Sequence, residues 1–245
     1  MSVYVFLGPT LPHEDAAREL NATYLPPVAQ GDVARICLEK PKAIAIIDGY
    51  FESVPAVWHK EILFALQQGV AVFGASSMGA LRAAELHPFG MVGVGAVFEA
   101  YRDGRLEDDD EVAVTHGPAE LGYLSLSEAM VNIRRTLADA VADGIVSIRT
   151  GRVLEETAKA LPYRERGYGR VLRLGAESGL PEGELARLRA WLPTGRVDQK
   201  REDAHLMLRT LRRWLGTDAG APDVRFHFEH TTLWERAARE VIHLG

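Results

Sequence analysis

A chain of 245 residues with 47% apolar and 25% charged residues can bury a substantial core and is too apolar for a disordered polymer. Its net charge of -6 argues against nonspecific nucleic-acid binding as the main task, although residues 146–215 carry many arginines. A single cysteine, Cys37, excludes an internal disulfide framework and a multi-cysteine zinc site, and a reducing cytoplasm is the expected compartment.

Val3–Leu7 reads as a buried strand, too short and without the basic leader of a signal peptide. No run approaches the roughly 20 apolar residues of a membrane span. Gly8-Pro9-Thr10-Leu11-Pro12 forbids regular structure, and a helix is expected over His13–Asn21. Cys37 falls in the apolar helical pattern Val33–Leu38 and reads as a buried, inert thiol. Ala43–Ile47 is a second strand, ending at Asp48-Gly49. Ser53 and Pro55 signal a helix start, with Trp58, Ile62, Ala65 and Leu66 at helical spacing. Gly69–Phe73 is a third strand and runs into Ala75-Ser76-Ser77-Met78-Gly79. A fourth, Val112–Thr115, is expected to deliver His116-Gly117-Pro118 to the same sheet edge. Helices follow over Leu126–Val141, Arg152–Leu161, Tyr168–Gly175, Glu182–Leu192 and Lys200–Leu215. Gly216–Asp223 reads as a linker, Val224–Phe228 as a short strand and Thr232–His243 as a helix.

Strands alternating with helices, and apolar runs without alternation, predict an α/β fold. It is a parallel, Rossmann-like open sheet in the N-terminal half, with a mostly helical C-terminal half. The corresponding division is an α/β core over 1–145 and a helical subdomain over 146–245.

Ligands of open parallel sheets gather outside the carboxyl ends of the strands. Here those ends carry Gly8 and Thr10, Asp48 and Gly49, and the serine turn. Ala75-Ser76-Ser77-Met78-Gly79 fits the small-x-nucleophile-x-small spacing with Ser77 as nucleophile and Ser76 and Met78 beside it, although alanine replaces the first glycine. The same small residues, with the amino end of the following helix, also suit an anion-binding bend. A reactive Ser77 needs a base. His59 and His116 are the two candidates and Asp48 is the nearest group to orient either; each histidine also reads as a surface or packing residue. Arg82 and Lys60 are placed to bind a carboxylate, thiocarboxylate or phosphate, while Arg82 and Glu85, at i and i+3, also read as a plain ion pair. The Asp108–Glu111 run lacks the spacing of a calcium loop and reads as a solvated acidic turn, with Asp110 pointing into the site as the alternative. Neither a P-loop nor G-x-G-x-x-G is present, so no nucleotide cofactor is expected; no metal ligand is assigned, although the acidic run could hold a hard divalent ion.

Five segments, taken in order, resemble TfuA-like proteins: Val5-Phe-Leu-Gly-Pro-Thr-Leu-Pro12, Ile46-Ile-Asp-Gly-Tyr-Phe51, Pro55-Ala-Val-Trp-His-Lys-Glu-Ile-Leu63, Gly74-Ala-Ser-Ser-Met-Gly-Ala-Leu-Arg-Ala-Ala-Glu-Leu86 and Tyr101-x-x-Gly-x-Leu-x-Asp-Asp-Asp-Glu-Val-Ala-Val114. Weaker echoes are Arg134 and Asp198-x-Lys200-Arg201-x-Asp203-Ala204. The resemblance implies a role in peptide thioamidation beside a YcaO enzyme, which uses ATP to activate a backbone amide. It further implies that sulfide is released by hydrolysis of the C-terminal thiocarboxylate of a ThiS-like carrier. On that reading a serine attacks the thiocarboxylate carbon, N–H groups hold the oxyanion, hydrosulfide leaves and water frees the carrier; a histidine-activated water is the other route. The alternatives are a noncatalytic adaptor or allosteric activator that docks the carrier onto YcaO, and an unrelated small-acyl hydrolase. The expected partners are therefore YcaO and the carrier, with no nucleic acid and no membrane; a homo-oligomer is also allowed.

Overall fold

The computed structural model describes residues 2–52, 54–217, 224 and 226–236. In chain order the elements are β1 (Val3–Phe6), α1 (His13–Glu19), β2 (Thr23–Leu25), α2 (Asp32–Cys37), β3 (Ala43–Ile46), α3 (His59–Gln67), β4 (Ala71–Ala75), α4 (Met78–Leu86), β5 (Val92–Val94), α5 (Ala96–Arg102), α6 (Met130–Ala142), α7 (Ile148–Ala160), α8 (Tyr168–Glu177), α9 (Glu182–Gly195) and α10 (Gln199–Leu215). They form two compact units, Met1–Glu107 with Arg201–Gly245, and Asp108–Lys200. The chain thus divides at 107/108 and 200/201 instead of once at 145/146. The reason is packing: α6 shares a core with α7, α8 and α9, whereas most of α10 packs on the sheet.

The first unit is built on a five-stranded sheet of order β2-β1-β3-β4-β5, parallel throughout. Phe6 is level with Ile46 and Ile46 with Gly74, so the carboxyl ends of β1, β3 and β4 lie side by side. Alternate residues face one side of a sheet. On one face Val3, Val5, Ala43, Ala45, Ala71 and Phe73 pack against Ala204, Met207, Leu208 and Leu211 of α10. Gly74 faces the other way, toward α4, whose first turn lies directly on the strands. A Cβ on Gly79 would sit 1.7 Å from the Ile46 carbonyl oxygen, and one on Gly74 would sit 2.1 Å from that of Gly79. Asp203, buried on α10, caps α5 from outside by accepting the N–H groups of Ala96 (3.1 Å) and Val97 (2.8 Å).

The second unit is helical. Met130, Ile133, Leu137, Leu154, Val171, Leu172, Leu185 and Leu188 of α6–α9 share its core. Ser147 caps α7, accepting the Thr150 N–H at 3.3 Å.

Several boundaries differ from the sequence expectation. β2 and β5 were not expected; each is only three residues long and lies at a sheet edge. The helix expected from Pro55 starts at His59, because Glu61 reaches back to the Trp58 N–H (3.2 Å) while the Pro55 carbonyl accepts from Gln30 (2.9 Å). Val112–Thr115 is not a strand. Its backbone is bonded partly by side chains, Lys200 Nζ donating to the Val112 carbonyl (2.8 Å) and the Thr115 N–H to Ser127 Oγ (2.9 Å), and partly by local turns, the Val112 N–H donating to the Asp109 carbonyl (3.4 Å) and the Leu126 N–H to the Thr115 carbonyl (2.7 Å). Residues 224 and 226–228 are not in a strand, and residues 232–236 are helical. The Ser53 cap, linker residues 218–223 and helix positions 237–243 lie outside the described residues. Among the described residues no helix is long and apolar enough to cross a membrane.

Candidate functional site

A sheet of order 2-1-3-4-5 reverses its winding between β1 and β3, and a crevice opens at the carboxyl ends there. Asp48 fills that place. It is buried, its Oδ2 accepts the N–H groups of Gly8 (2.9 Å) and Thr10 (3.1 Å), and its Oδ1 accepts the Thr10 hydroxyl at 2.6 Å. Both oxygens accept, which is the bonding of a carboxylate. Asp48 therefore fixes the loop after β1, and among the described residues it bonds no histidine.

The serine turn follows β4. Ser76, fully buried, has φ +67°, and the Ser77 N–H closes a three-residue turn onto the Ala75 carbonyl at 2.8 Å. A non-glycine residue at positive φ is strained and persists only where its surroundings fix it. Here the fixing is the tight seating of α4 on β3: the Gly79 N–H bonds the Ile47 carbonyl at 3.3 Å, and a Cβ on Gly49 would meet Met78 Cγ at 2.6 Å.

The strain thus sits at Ser76, one position before the serine that the motif spacing selects. Backbone donors separate the two. An elbow nucleophile uses the N–H of the next residue in its oxyanion hole. For Ser76 that donor is the Ser77 N–H, already given to Ala75. For Ser77 it is the Met78 N–H, which makes no hydrogen bond among the described residues. The Ser77 carbonyl holds the helix start, accepting from Ala80 (2.9 Å) and Leu81 (3.3 Å). Its hydroxyl is engaged with nothing among the described residues, although Ser77 is 3% exposed. Among the described residues, the serine hydroxyl and the amide are thus both without a hydrogen-bond partner.

The histidines have other partners. His59 is the first residue of α3, and its Nε2 is 2.7 Å from Glu85 Oε2, which also accepts from Arg82 (2.8 Å). Burial by itself raises the Glu85 carboxyl; the His59 hydrogen bond and Arg82 outweigh it and hold the group below the ordinary carboxylate range. Eight residues along α4 separate Glu85 from Ser77, about 12 Å of helix axis. The structure joins His59 to Glu85 and Arg82, not to Ser77 or Asp48. His116 is in the second unit, on a loop instead of a strand end, with Nδ1 2.8 Å from the Gly117 carbonyl and its ring against Tyr123.

The cations expected to bind an anion are also placed. Arg82 donates through Nε to the Val57 carbonyl (3.1 Å) as well as to Glu85, the i,i+3 pair. Lys60 donates to Thr231 Oγ1 at 3.2 Å and lies over the Phe228 ring. Gly8 owes its identity to Pro27, whose Cγ would lie 2.4 Å from an added Cβ. Cys37 is a buried thiol, pushed up to about 12 by burial and by Glu61.

The acidic run belongs to the second unit. Asp108, Asp110 and Glu111 offer oxygens within 4.8 Å of one another, a spacing that suits a cation. The cation there is the chain's own. Lys159 Nζ lies 2.9 Å from both Asp108 and Glu111 and also bonds Asp110. Arg166, with its side chain fully buried, bonds Asp110, and Arg134 grips both oxygens of Glu111 at 2.8 and 2.9 Å. Burial opposes ionisation of Asp110 and Glu111, but these cations prevail and hold both carboxyls below the ordinary range. The weaker sequence echoes are structural too: Asp198 accepts from Asn132 (3.0 Å), Lys200 holds the Val112 carbonyl and Asp203 caps α5.

Fold and site together define the first unit as a doubly wound α/β structure with a strained serine turn beside its β1/β3 switch point. Residues 48–167 match the family model described as TfuA-like protein, and the chain is TfuA-like over that span. The span includes Asp48, His59, the serine turn, Arg82 and His116. No curated protein matches the chain.

Proposed function

We propose that the protein hydrolyses the C-terminal thiocarboxylate of a ThiS-like carrier and releases sulfide for a YcaO enzyme. The family match supports involvement in YcaO-dependent thioamidation. The observation that carries the hydrolytic reading is that one strained turn presents side by side the Ser77 hydroxyl and the Met78 N–H, both unengaged among the described residues. Ser77 Oγ attacks the thiocarboxylate carbon and the Met78 N–H receives the developing oxyanion. The serine proton passes to the departing sulfur, which leaves as hydrosulfide; water then cleaves the acyl-serine to carboxylate and free serine. Such a transfer to the substrate's own sulfur is consistent with a serine that bonds no histidine among the described residues.

The test is to mix the protein with thiocarboxylated carrier and follow carrier mass and free sulfide. Release no faster than without protein sinks the proposal. Ser77→Ala is expected to lower the rate on the order of 100-fold or more while Ser76→Ala keeps its reacting group. An equal loss in His59→Ala would instead make His59 the base.

The adaptor reading has its own support. Leu121, Leu124 and Leu126 of the second unit are 62–66% exposed on one loop, a concentration of apolar side chains that suits protein contact. If thioamidation still needs this protein in excess inorganic sulfide, the adaptor reading prevails over the hydrolase.

A further inference from the structure

We infer that Asp48 sets the charge class of ligand at the serine turn: the site takes a singly charged carboxylate or thiocarboxylate terminus and refuses a phosphoryl dianion. This rests on the serine turn being the site of reaction.

Three observations converge. The donors that would cradle a phosphate at this sheet edge are the Gly8 and Thr10 N–H groups and the Thr10 hydroxyl, and all three are given to Asp48. The nest is filled by the chain's own carboxylate. Asp48 also adjoins the turn, since its two neighbours both touch the start of α4: the Ile47 carbonyl accepts from Gly79, and Gly49 packs on Met78. A second buried negative charge therefore enters beside a first. Finally, among the described residues no lysine or arginine bonds Asp48 or Ser77. Arg82 is tied to Val57 and Glu85, and Lys60 to Thr231.

The turn itself is nonetheless a place for an anion. The amino end of nine-residue α4 carries an unengaged Met78 N–H, and the Ser77 hydroxyl, on a residue 3% exposed, has no partner among the described residues. One hydroxyl and one amide beside a helix amino end match the needs of a carboxyl-sized monoanion. They leave most oxygens of a phosphoryl group without donors.

The experiment is a titration of the 15N-labelled full chain, read at the Ser77 and Met78 amides, with a short peptide bearing a free C-terminal carboxylate and separately with inorganic phosphate at the same ionic strength. The peptide should shift both amides saturably, its C-terminal amide form should not, and phosphate should leave them within the drift of a chloride control. Phosphate shifts equal to or larger than the peptide's, or no shift with the carboxylate peptide, overturn the inference. Asp48→Ala, if its spectrum stays dispersed, should gain saturable phosphate shifts at Gly8 and Thr10; a folded variant still blind to phosphate also counts against it. Binding is read without turnover, so a wild type that binds the carboxylate but releases no sulfide breaks the hydrolase proposal alone.

Discussion

Buried and half-buried carboxylates are handled in opposite ways in the two units. In the sheet unit, Asp48, Glu61 and Asp203 accept backbone N–H groups: Asp48 those of the β1 loop, Glu61 those of Gly31, Ala34 and Trp58, and Asp203 those of α5. In the helical unit, Asp110 and Glu111 are matched to Lys159, Arg166 and Arg134. The difference teaches what each is for. Backbone amides give a carboxylate fixed positions from which to hold loops at strand ends, where the candidate site lies. Cations give it charge balance, which clamps helices but depends on both partners being ionised.

The contrast is broken most severely at Arg166. Arg166→Ala removes a fully buried guanidinium from Asp110 and frees the carbonyls of Asp110, Ala158 and Leu161. Each carbonyl left buried without a donor costs about 1–3 kcal/mol, so a total of about 3 kcal/mol or more is expected, although Asp110 itself is half-exposed and still held by Lys159. Denaturant unfolding should show a loss of that size, and a change under about 1 kcal/mol would mean that the network does not hold the unit.

Gly79→Ala probes the sheet unit with no charge involved. Its Cβ would fall 1.7 Å from the Ile46 oxygen, so α4 must lift from β3. Overpacking of this kind costs about 1–3 kcal/mol. Displacement of α4 should also lower sulfide release, whereas Arg166→Ala, at equal loss of stability, should leave the residual folded fraction active.

The smallest effect is in pH, and here the units differ in sign. The folded-state values of Asp110 and Glu111 are depressed, so their contribution is complete above the unfolded carboxylate range and fades as pH falls through their lower folded values. Burial raises Glu61, against the backbone hydrogen bonds that lower it, so its contribution is complete below the unfolded value and is lost as pH rises through the folded one. Glu111→Gln should flatten the acid side of the stability profile, and Glu61→Gln the side above the carboxylate range. Identical profiles for wild type and both variants would remove the distinction.

Much of this was written in local sequence. Continuous apolar runs gave β1, β3 and β4, because strands covered on both faces need no polar alternation. The serine turn was legible because only small residues allow a helix to start that close to a strand. β2 and β5 were not legible, being three-residue edges made by pairing more than by composition. Val112 and Ala113 have the apolar signature of a strand and are buried, but their unit offers side-chain and local turn partners instead of a ladder. The site shows the same limit. Asp48, His59 and Arg82 were singled out by type and by expected edge, yet their partners are Gly8 and Thr10, Glu85, and Val57 with Glu85.

The sequence by itself determined the parallel α/β unit, its helical companion, the serine turn and the TfuA-like character, all of which rest on residue type at short spacing. Tertiary structure alone decided that strain falls on Ser76, that the amide after Ser77 has no partner among the described residues, that Asp48 fills the switch point and that Lys159 takes the place of a cation among the acids. Each of these depends on where a hydrogen-bond partner or a charge lies in space, 49 residues apart in the case of Asp110 and Lys159, and no local pattern carries that information.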